Sequence, residues 1–260
     1  MQNLSLSPGR ATALALISLA LFLAFWFVIP ASGLVSEQFL PGPVAVVERV
    51  VQLISQPFAG ATLPEHLLSS LGRFLGGFLL AALIGVPLGL MMGWFPTMDA
   101  IAAPLLDGLR FIAPIAWVPF AALWFGTGIG GPIMIIFAGA FPPCVINAWQ
   151  GARCVDIRLI EAAKMLGTSN FGMITRVIMP ASIPSIIAGL RISAGLGWQS
   201  LVGAELIVAS TGVGFMMVQA QANIAASTVV AGMVSIGLVG LIIDILLRRL
   251  ERAVTQGKQA

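Results

Sequence analysis

The sequence predicts an all-α membrane protein of six transmembrane helices, with one substantial polar loop between the fourth and the fifth. Three observations lead there. First, 58% of the 260 residues are hydrophobic and 9% are charged, whereas a soluble domain carries about 25% charged residues. Mean hydropathy is +1.02. So little charge cannot wet a globular surface, which leaves lipid as the solvent for most of the chain. Second, the apolar residues gather into runs of bilayer length, roughly 12–30, 68–92, 101–126, 131–149, 183–208 and 226–247. Segments of that length cross as helices, because unpaired backbone groups are not tolerated in hydrocarbon. Third, Lys and Arg collect on one side of the resulting topology.

The elements follow in order. Arg10 precedes "ATALALISLALFLAFWFVIP", a run longer than the apolar core of a signal peptide, so a retained first span is expected. Residues 38–56, "FLPGPVAVVERVVQLISQP", predict an interfacial amphipathic helix on the outer side. Pro43 sits at its start. Val47, Val50, Val51 and Ile54 share one face. From Phe111 to Ala152 there is no charged residue. That stretch is too long for one span, and "GTGIGG" at 126–131 reads as the turn of a hairpin formed by spans three and four. Pro87, Pro114 and Pro119 break helical hydrogen bonds and predict bends. Such bends either line a cavity with freed carbonyls or simply serve packing. Gly195 and Gly197 in span five allow close helix approach, across a dimer. "STGVGFMM", residues 210–217, is expected as an outer loop.

Orientation comes from the basic residues. Arg10 lies before span one; Arg153, Arg158, Lys164 and Arg176 lie between spans four and five; Arg248, Arg249, Arg252 and Lys258 follow span six. These regions fall on one side, predicted to be cytoplasmic. The opposite loops carry Arg49 against Glu37, Glu48 and Glu65.

Composition also excludes functions. The net charge of +3 is spread thinly and explains topology rather than nucleic-acid binding. Cys144 and Cys154 form neither a CxxC nor a zinc spacing, and His66 stands alone. Sequence signatures of serine hydrolases, zinc proteases and phosphate-binding loops are missing. The carboxylates Glu205 and Asp244 sit singly in different spans. No catalytic site is expected in this chain.

Ionisable groups within spans need a reason. Glu205 deep in span five would cost at least about 2.5 kcal/mol facing lipid. It should face the interior, either shaping a path or making a helix–helix hydrogen bond while protonated. Arg110 at the start of span three is expected to pair with Asp107 or to snorkel, ahead of meeting an anionic substrate. Arg191 has the same reading. Asp244 should pair locally with Arg248 at i+4.

The loop 150–182 contains "EAAKMLGTSNFGMITRVIMP" at 161–180. Asp156 is a good N-cap and Gly167 a good C-terminal stop for a helix of about three turns. Leu159, Ala162, Ala163 and Leu166 make one shallow apolar face, with Arg158 and Glu161 on another side. Thr168 or Ser169 can cap a second short helix ending at Pro180. A shallow face invites close approach, either by another protein, helix in groove, or by the chain's own helix ends.

This segment resembles the EAA loop of binding-protein-dependent ABC importer permeases. The family pattern is EAA, three residues, Gly, nine residues, then I-x-L-P. The chain has Glu161-Ala162-Ala163, Gly167 and Val177-x-Met179-Pro180 at the same spacing, with two apolar departures. "LPGP" (40–43), "HLLSSLGRFLGGF" (66–78), "PIAWVPFAALWFGTG" (114–128), "GWQSLVGAEL" (197–206) and "GLIIDILLRRLER" (240–252) resemble the nitrate/sulfonate/taurine-type permeases. The "PIAWVP" stretch argues against the methionine type.

The resemblance implies a type I importer permease fold. It implies a single domain over 1–260, with a cytoplasmic N-tail 1–11, a core at about 38–250, the EAA loop at 150–182 and a cytoplasmic C-tail 248–260. It implies a homodimer in a bacterial inner membrane, with two cytoplasmic ATPase subunits that bind ATP and Mg. An outer solute-binding protein would deliver a small anion such as taurine, a sulfonate or nitrate. No cofactor is expected on this chain, which lacks the phosphate-binding loop. Coupling to the ATPase falls to Leu159, Glu161, Ala162, Ala163, Leu166, Gly167 and Pro180. Path or gate candidates are Glu205, Arg110, Pro114, Pro119 and Trp198. A secondary transporter or channel is the alternative, but it would have no use for an EAA loop, and no inverted repeat is evident.

Overall fold

The computed structural model describes residues 8–256 apart from Leu34, Glu37 and Thr127. Lys258, counted in the charge reading, lies outside the described residues, as do Glu37 and residues 1–7 of the N-tail. The described chain is helical, with one isolated bridge between Phe58 and Ala61. Among the described residues, five helices are long and apolar enough to cross a membrane, or six spans result when one bent pair counts as a span.

Helix α1, Pro8–Ala31, is apolar on all sides and scarcely packs on the rest of the subunit. Its firmest tie is the Trp26 indole, whose Nε1 donates to the Pro41 carbonyl at 3.1 Å. Helix α2, Pro43–Ser55, is the expected amphipathic segment with its faces reassigned. Val47, Val51 and Ile54 are exposed, while Val46 and Leu53 are buried against α11. Both sides of this helix are apolar, so spacing alone could not say which one the protein would take. Arg49 fixes the choice by donating to Thr228 Oγ1 at 2.8 Å.

Helix α3, Leu63–Trp94, opens with a capping box in which Glu65 accepts from the Thr62 backbone N–H at 2.7 Å. It packs along α6, Gly130–Arg153. The contact is close because α3 presents glycines. A methyl group at Gly77, Gly85, Gly89 or Gly93 would fall within 3.0 Å of α6 atoms. In a membrane such small-residue seams let dispersion and weak polar contacts hold helices together. Gly151 of α6 and Gly189 of α9, Met179–Val208, permit the same close approach between those two helices. Of the two span-five glycines, Gly197 faces α6 residues Ile136 and Ala140, and Gly195 faces open space.

Span three is not one helix. Helix α4, Pro96–Leu109, and helix α5, Val118–Phe125, are bent by 91° about a short 3-10 turn, Pro114–Trp117. Pro114 and Pro119 both stand in first turns, where a missing N–H is harmless. The hairpin turn after Phe125 is as expected, with Gly126 at φ +62°.

After α7 (Ile157–Met165) and α8 (Asn170–Met173), the chain does not stop at Pro180. It widens into a π-turn, Ile174–Ile178, and continues as α9, Met179–Val208. Pro180 lacks the N–H of an α-turn and would collide with the carbonyl four residues earlier. A five-residue step, Met179 N–H to Ile174 C=O, absorbs the misfit. The expected outer loop at 210–217 is largely a helix, α10, Val213–Ala222, with Val213, Gly214, Met216 and Ala220 buried. Helix α11, Ala226–Gln256, carries the last span and continues into the predicted tail.

Candidate functional site

At the end of α9 that joins α8, the predicted loop folds as the sequence requires. Asp156 Oδ1 accepts from the Arg158 N–H at 2.9 Å and caps α7. At the other end Gly167 takes φ +73°. Its N–H bonds to the Lys164 carbonyl at 3.0 Å, and the Thr168 N–H bonds to the Ala163 carbonyl at 3.1 Å. This pair of bonds is a Schellman stop, which satisfies the orphan carbonyls. Nothing lies within 4 Å of a methyl placed on Gly167, so the glycine serves the turn and not a close approach within this chain. Ser169 caps α8 by accepting from the Gly172 N–H at 3.2 Å.

The face of α7 is turned from the expected one. Ala163 is 8% exposed and packs with Leu90, Ala152 and Met173. Leu159, Glu161 and Ala162 are exposed, Leu166 is 86% exposed and Met165 is 90% exposed. Ile157 and Phe171 are exposed as well, and Phe171 borders the same hollow as Leu166. The sequence reading singled out neither Met165 nor Phe171. Their hydrophobicity at a solvated loop was the available signal. Lys164 lies over the Trp94 ring at 5.6 Å and moors α7 to the end of α3.

Toward the far end of α9 lies a buried polar cluster. Glu205 is 1% exposed and Arg73 4%. Arg73 Nη1 donates to Glu205 Oε1 at 2.9 Å and to the Thr211 carbonyl at 2.6 Å. Ser70 donates to Glu205 at 2.8 Å and accepts from the Val213 N–H at 3.0 Å. The Gly214 N–H donates to Glu205 Oε2 at 3.0 Å. His66 accepts the Gly212 N–H at Nδ1, 3.1 Å, and meets the Phe58 carbonyl through Nε2 at 2.9 Å. Gly212 and Gly214 are required here, since a methyl on either would run into Glu205. Glu205 thus faces the interior and makes a helix–helix bond, one of its two expected roles, with Arg73 of α3 as its partner. Its contacts pin the 209–214 turn and the start of α10. Arg73 passed unnoticed because it lies inside an otherwise apolar run, and its partner is 132 residues away.

The remaining candidates divide. Trp198 is buried, edge-on to Phe74 at 5.3 Å, and donates to the Ile236 carbonyl at 3.1 Å. Arg110 pairs with Asp107 at 3.2 Å, both exposed. Pro114 and Pro119 flank the break in span three. Asp244 bonds Arg248 at 2.7 Å, as expected, and also Arg191 at 2.7 Å. Arg191 reaches Glu251 at 3.4 Å as well, which ties α9 to α11.

These features define a multi-pass membrane subunit with one buried polar clasp and one uncovered apolar loop at opposite ends. Residues 85–256 match the family described as binding-protein-dependent transport system inner membrane component. The chain is 36% identical over 248 residues to the taurine transport system permease protein of Escherichia coli K12, covering 95% of this chain and 90% of that one. It is 37% identical to a putative aliphatic sulfonates transport permease of Bacillus subtilis 168, covering 90% and 83%. It is 34% identical to a bicarbonate transport system permease of Synechococcus elongatus, covering 89% and 85%. An inward-facing structure of the MetNI methionine ABC transporter has the same fold, with a TM-score of 0.64 at 17% identity over 72% of this chain and 93% of that one. The chain belongs to the binding-protein-dependent transport inner membrane component family, and is the transmembrane permease subunit of an ABC importer with the type I fold.

Proposed function

We propose that this permease imports a small anionic solute, of the sulfonate, taurine, nitrate or bicarbonate kind, and that α7 is where ATP-driven motion enters it. The uncovered apolar surface of Leu159, Met165, Leu166 and Phe171 carries the second part. It flanks a Schellman stop at Gly167 within the EAA pattern, and a soluble-facing loop has no use for such a surface unless another protein covers it. Glu161 and Ala162, both exposed, belong to the docking face, while Ala163 holds α7 to its own chain. Pro180 enforces the π-turn that joins the loop to α9. The names of the relatives support the solute class.

The assembly that fits is a permease pair, two copies of this single domain, with two cytoplasmic ATPase subunits that bind ATP and Mg. A periplasmic binding protein delivers the solute. The setting is a bacterial inner membrane with both termini cytoplasmic, in keeping with the basic residues near α7 and along the end of α11. Purification in mild detergent from native membranes tests this. An ATPase subunit should co-purify in stoichiometric amount and be lost with Gly167→Trp, while membrane insertion persists. A chain that purifies alone and transports without ATP would overturn the reading.

A further inference from the structure

A fully buried side chain needs its polar atoms matched, and a buried histidine reveals its charge state through the groups that match them. His66, the single histidine of the chain, is fully buried. It stands at the start of α3, where Nδ1 faces the Gly212 N–H at 3.1 Å and Nε2 faces the Phe58 carbonyl at 2.9 Å. A peptide N–H can only donate and a carbonyl can only accept. Nδ1 is therefore the bare nitrogen and Nε2 carries the hydrogen. Geometry thus fixes one tautomer of the neutral ring. An imidazolium has two N–H donors and no acceptor, so it cannot hold Gly212.

The ring joins two turns that are distant in sequence. One is the bend Phe58–Ala61, in which Ala59 and Gly60 take φ of +54° and +89°. A left-handed alanine is strained and persists only where its surroundings hold it. The Ala61 N–H reaches the Phe58 carbonyl at a long 3.4 Å, so His66 is the firmer partner of that carbonyl. The other is the 209–214 turn, which is held residue by residue. Arg73 holds Thr211, His66 holds Gly212, Ser70 holds Val213 and Glu205 holds Gly214. Of these four anchors, His66 is the residue type that ordinarily gains its charge between about pH 5 and 8.

Few charged groups surround the ring. On its own helix, Glu65 is turned to the Thr62 cap and Arg73 lies two turns on. From α2, Arg49 lies over the Phe58 ring at 5.6 Å. From α9 comes Glu205, bonded to Arg73 and Ser70. Helix α10 and the part of α11 before Asp244 carry no charged residue.

We infer that His66 is a proton-operated latch. Neutral, it ties the 58–61 and 209–214 turns to α3; protonated, it releases the 209–214 turn. The incoming proton binds Nδ1 and displaces the Gly212 N–H. The start of α10 then hangs on Arg73, Ser70 and Glu205 alone. Acid thereby loosens the end of the subunit opposite the α7 loop. The inference rests neither on which solute is carried nor on what docks at α7.

Hydrogen exchange in the assembled transporter, in lipid nanodiscs at about pH 8 and about pH 5, tests it. Rates are corrected for the intrinsic pH dependence of amide exchange. At the acid pH the 209–214 turn should lose at least ~tenfold in protection, while the middle of α6 changes by less than ~twofold. His66→Asn places an amide oxygen, an acceptor that does not titrate, where Nδ1 stands. This variant should stay protected at both pH values. An equal loss in His66→Asn means that another group titrates, Glu205 first among them, and overturns the inference. So does unchanged protection of the native turn at the acid pH. Should His66→Asn fail to assemble, the ring itself decides. Its imidazole nitrogen resonances can be read in a permease labelled at histidine, bearing a histidine-free tag and paired with unlabelled subunits. Protonation of both nitrogens at the pH where the turn opens supports the latch, and a ring still neutral there overturns it. ATPase co-purification enters none of these outcomes, so failure here is distinct from failure of the coupling proposal.

Discussion

Near one end of α9, Glu205 is buried with every oxygen engaged by Arg73, Ser70 and the Gly214 N–H. Before its other end, Met165, Leu166 and Phe171 touch little of their own chain. The first region is closed: apart from Arg73 Nε, which has no partner among the described residues, its charges and the peptide groups around them bond to one another across α3, α9 and α10. The second is open, since its backbone is fully capped while its apolar side chains are left uncovered. A protein that leaves oily side chains bare on a rigidly terminated helix has finished the fold but not the contact. The difference is that one end is satisfied within the subunit, while the other leaves its apolar side chains for the external partner proposed above.

The widest separation between them should come from Glu205→Ala. It leaves the Arg73 guanidinium buried and unpaired, at a cost of about 3–5 kcal/mol. Thermal unfolding in detergent should record the loss, and the pair Arg73→Met with Glu205→Leu should recover most of it. A single substitution costing under ~1 kcal/mol would mean that the cluster does not hold this end.

Met165→Asp with Leu166→Asp should behave in the opposite way. Stability should stay within about 0.5 kcal/mol, as for surface positions generally. Solute uptake should fall ~30-fold or more, the size of a lost interface hot spot of about 2 kcal/mol. A fall in stability instead would place these side chains in the subunit's own core. Gly167→Ala forces a Cβ into the left-handed region and should cost about 1–2 kcal/mol locally. Gly167→Asn should cost less, and hydrogen exchange at α7 reads both. The smallest effect is expected from Asp156→Ala, a lost N-cap worth about 1 kcal/mol, with Asp156→Ser close to neutral.

What could be read in the sequence follows the range of the forces involved. Asp156 and Gly167 were legible because capping acts over three or four residues. The hairpin at 126–131 and the length of most spans were legible for the same local reason. The Arg73–Glu205 clasp was not, since nothing near Arg73 announces a carboxylate on another helix. Pro114 and Pro119 announced a bend, but not that the span would divide into two helices at 91°. Ala163 and Leu159 illustrate a further limit. Periodicity groups them on a face, but only packing against Leu90 and Met173 decides which part of it turns inward. Helix α10 was missed because a short, glycine-led apolar stretch between two spans looks like a loop.

The π-turn before Pro180 has a mechanical consequence. Residues Asn170–Val208 form one continuous helical element of 39 residues, a rod of roughly 58 Å at 1.5 Å per residue. One tip carries Phe171 beside α7, and the other carries Glu205 and the turn into α10. A rod of this length is a lever. A tilt of only about 5° at the loop would sweep the far tip through ~5 Å over such a length. The widened turn at Ile174–Ile178 interrupts the regular hydrogen-bond ladder near the loop end of the shaft. Its stiffness sets how much of a push at the loop arrives at the clasp, and how much is lost as bending.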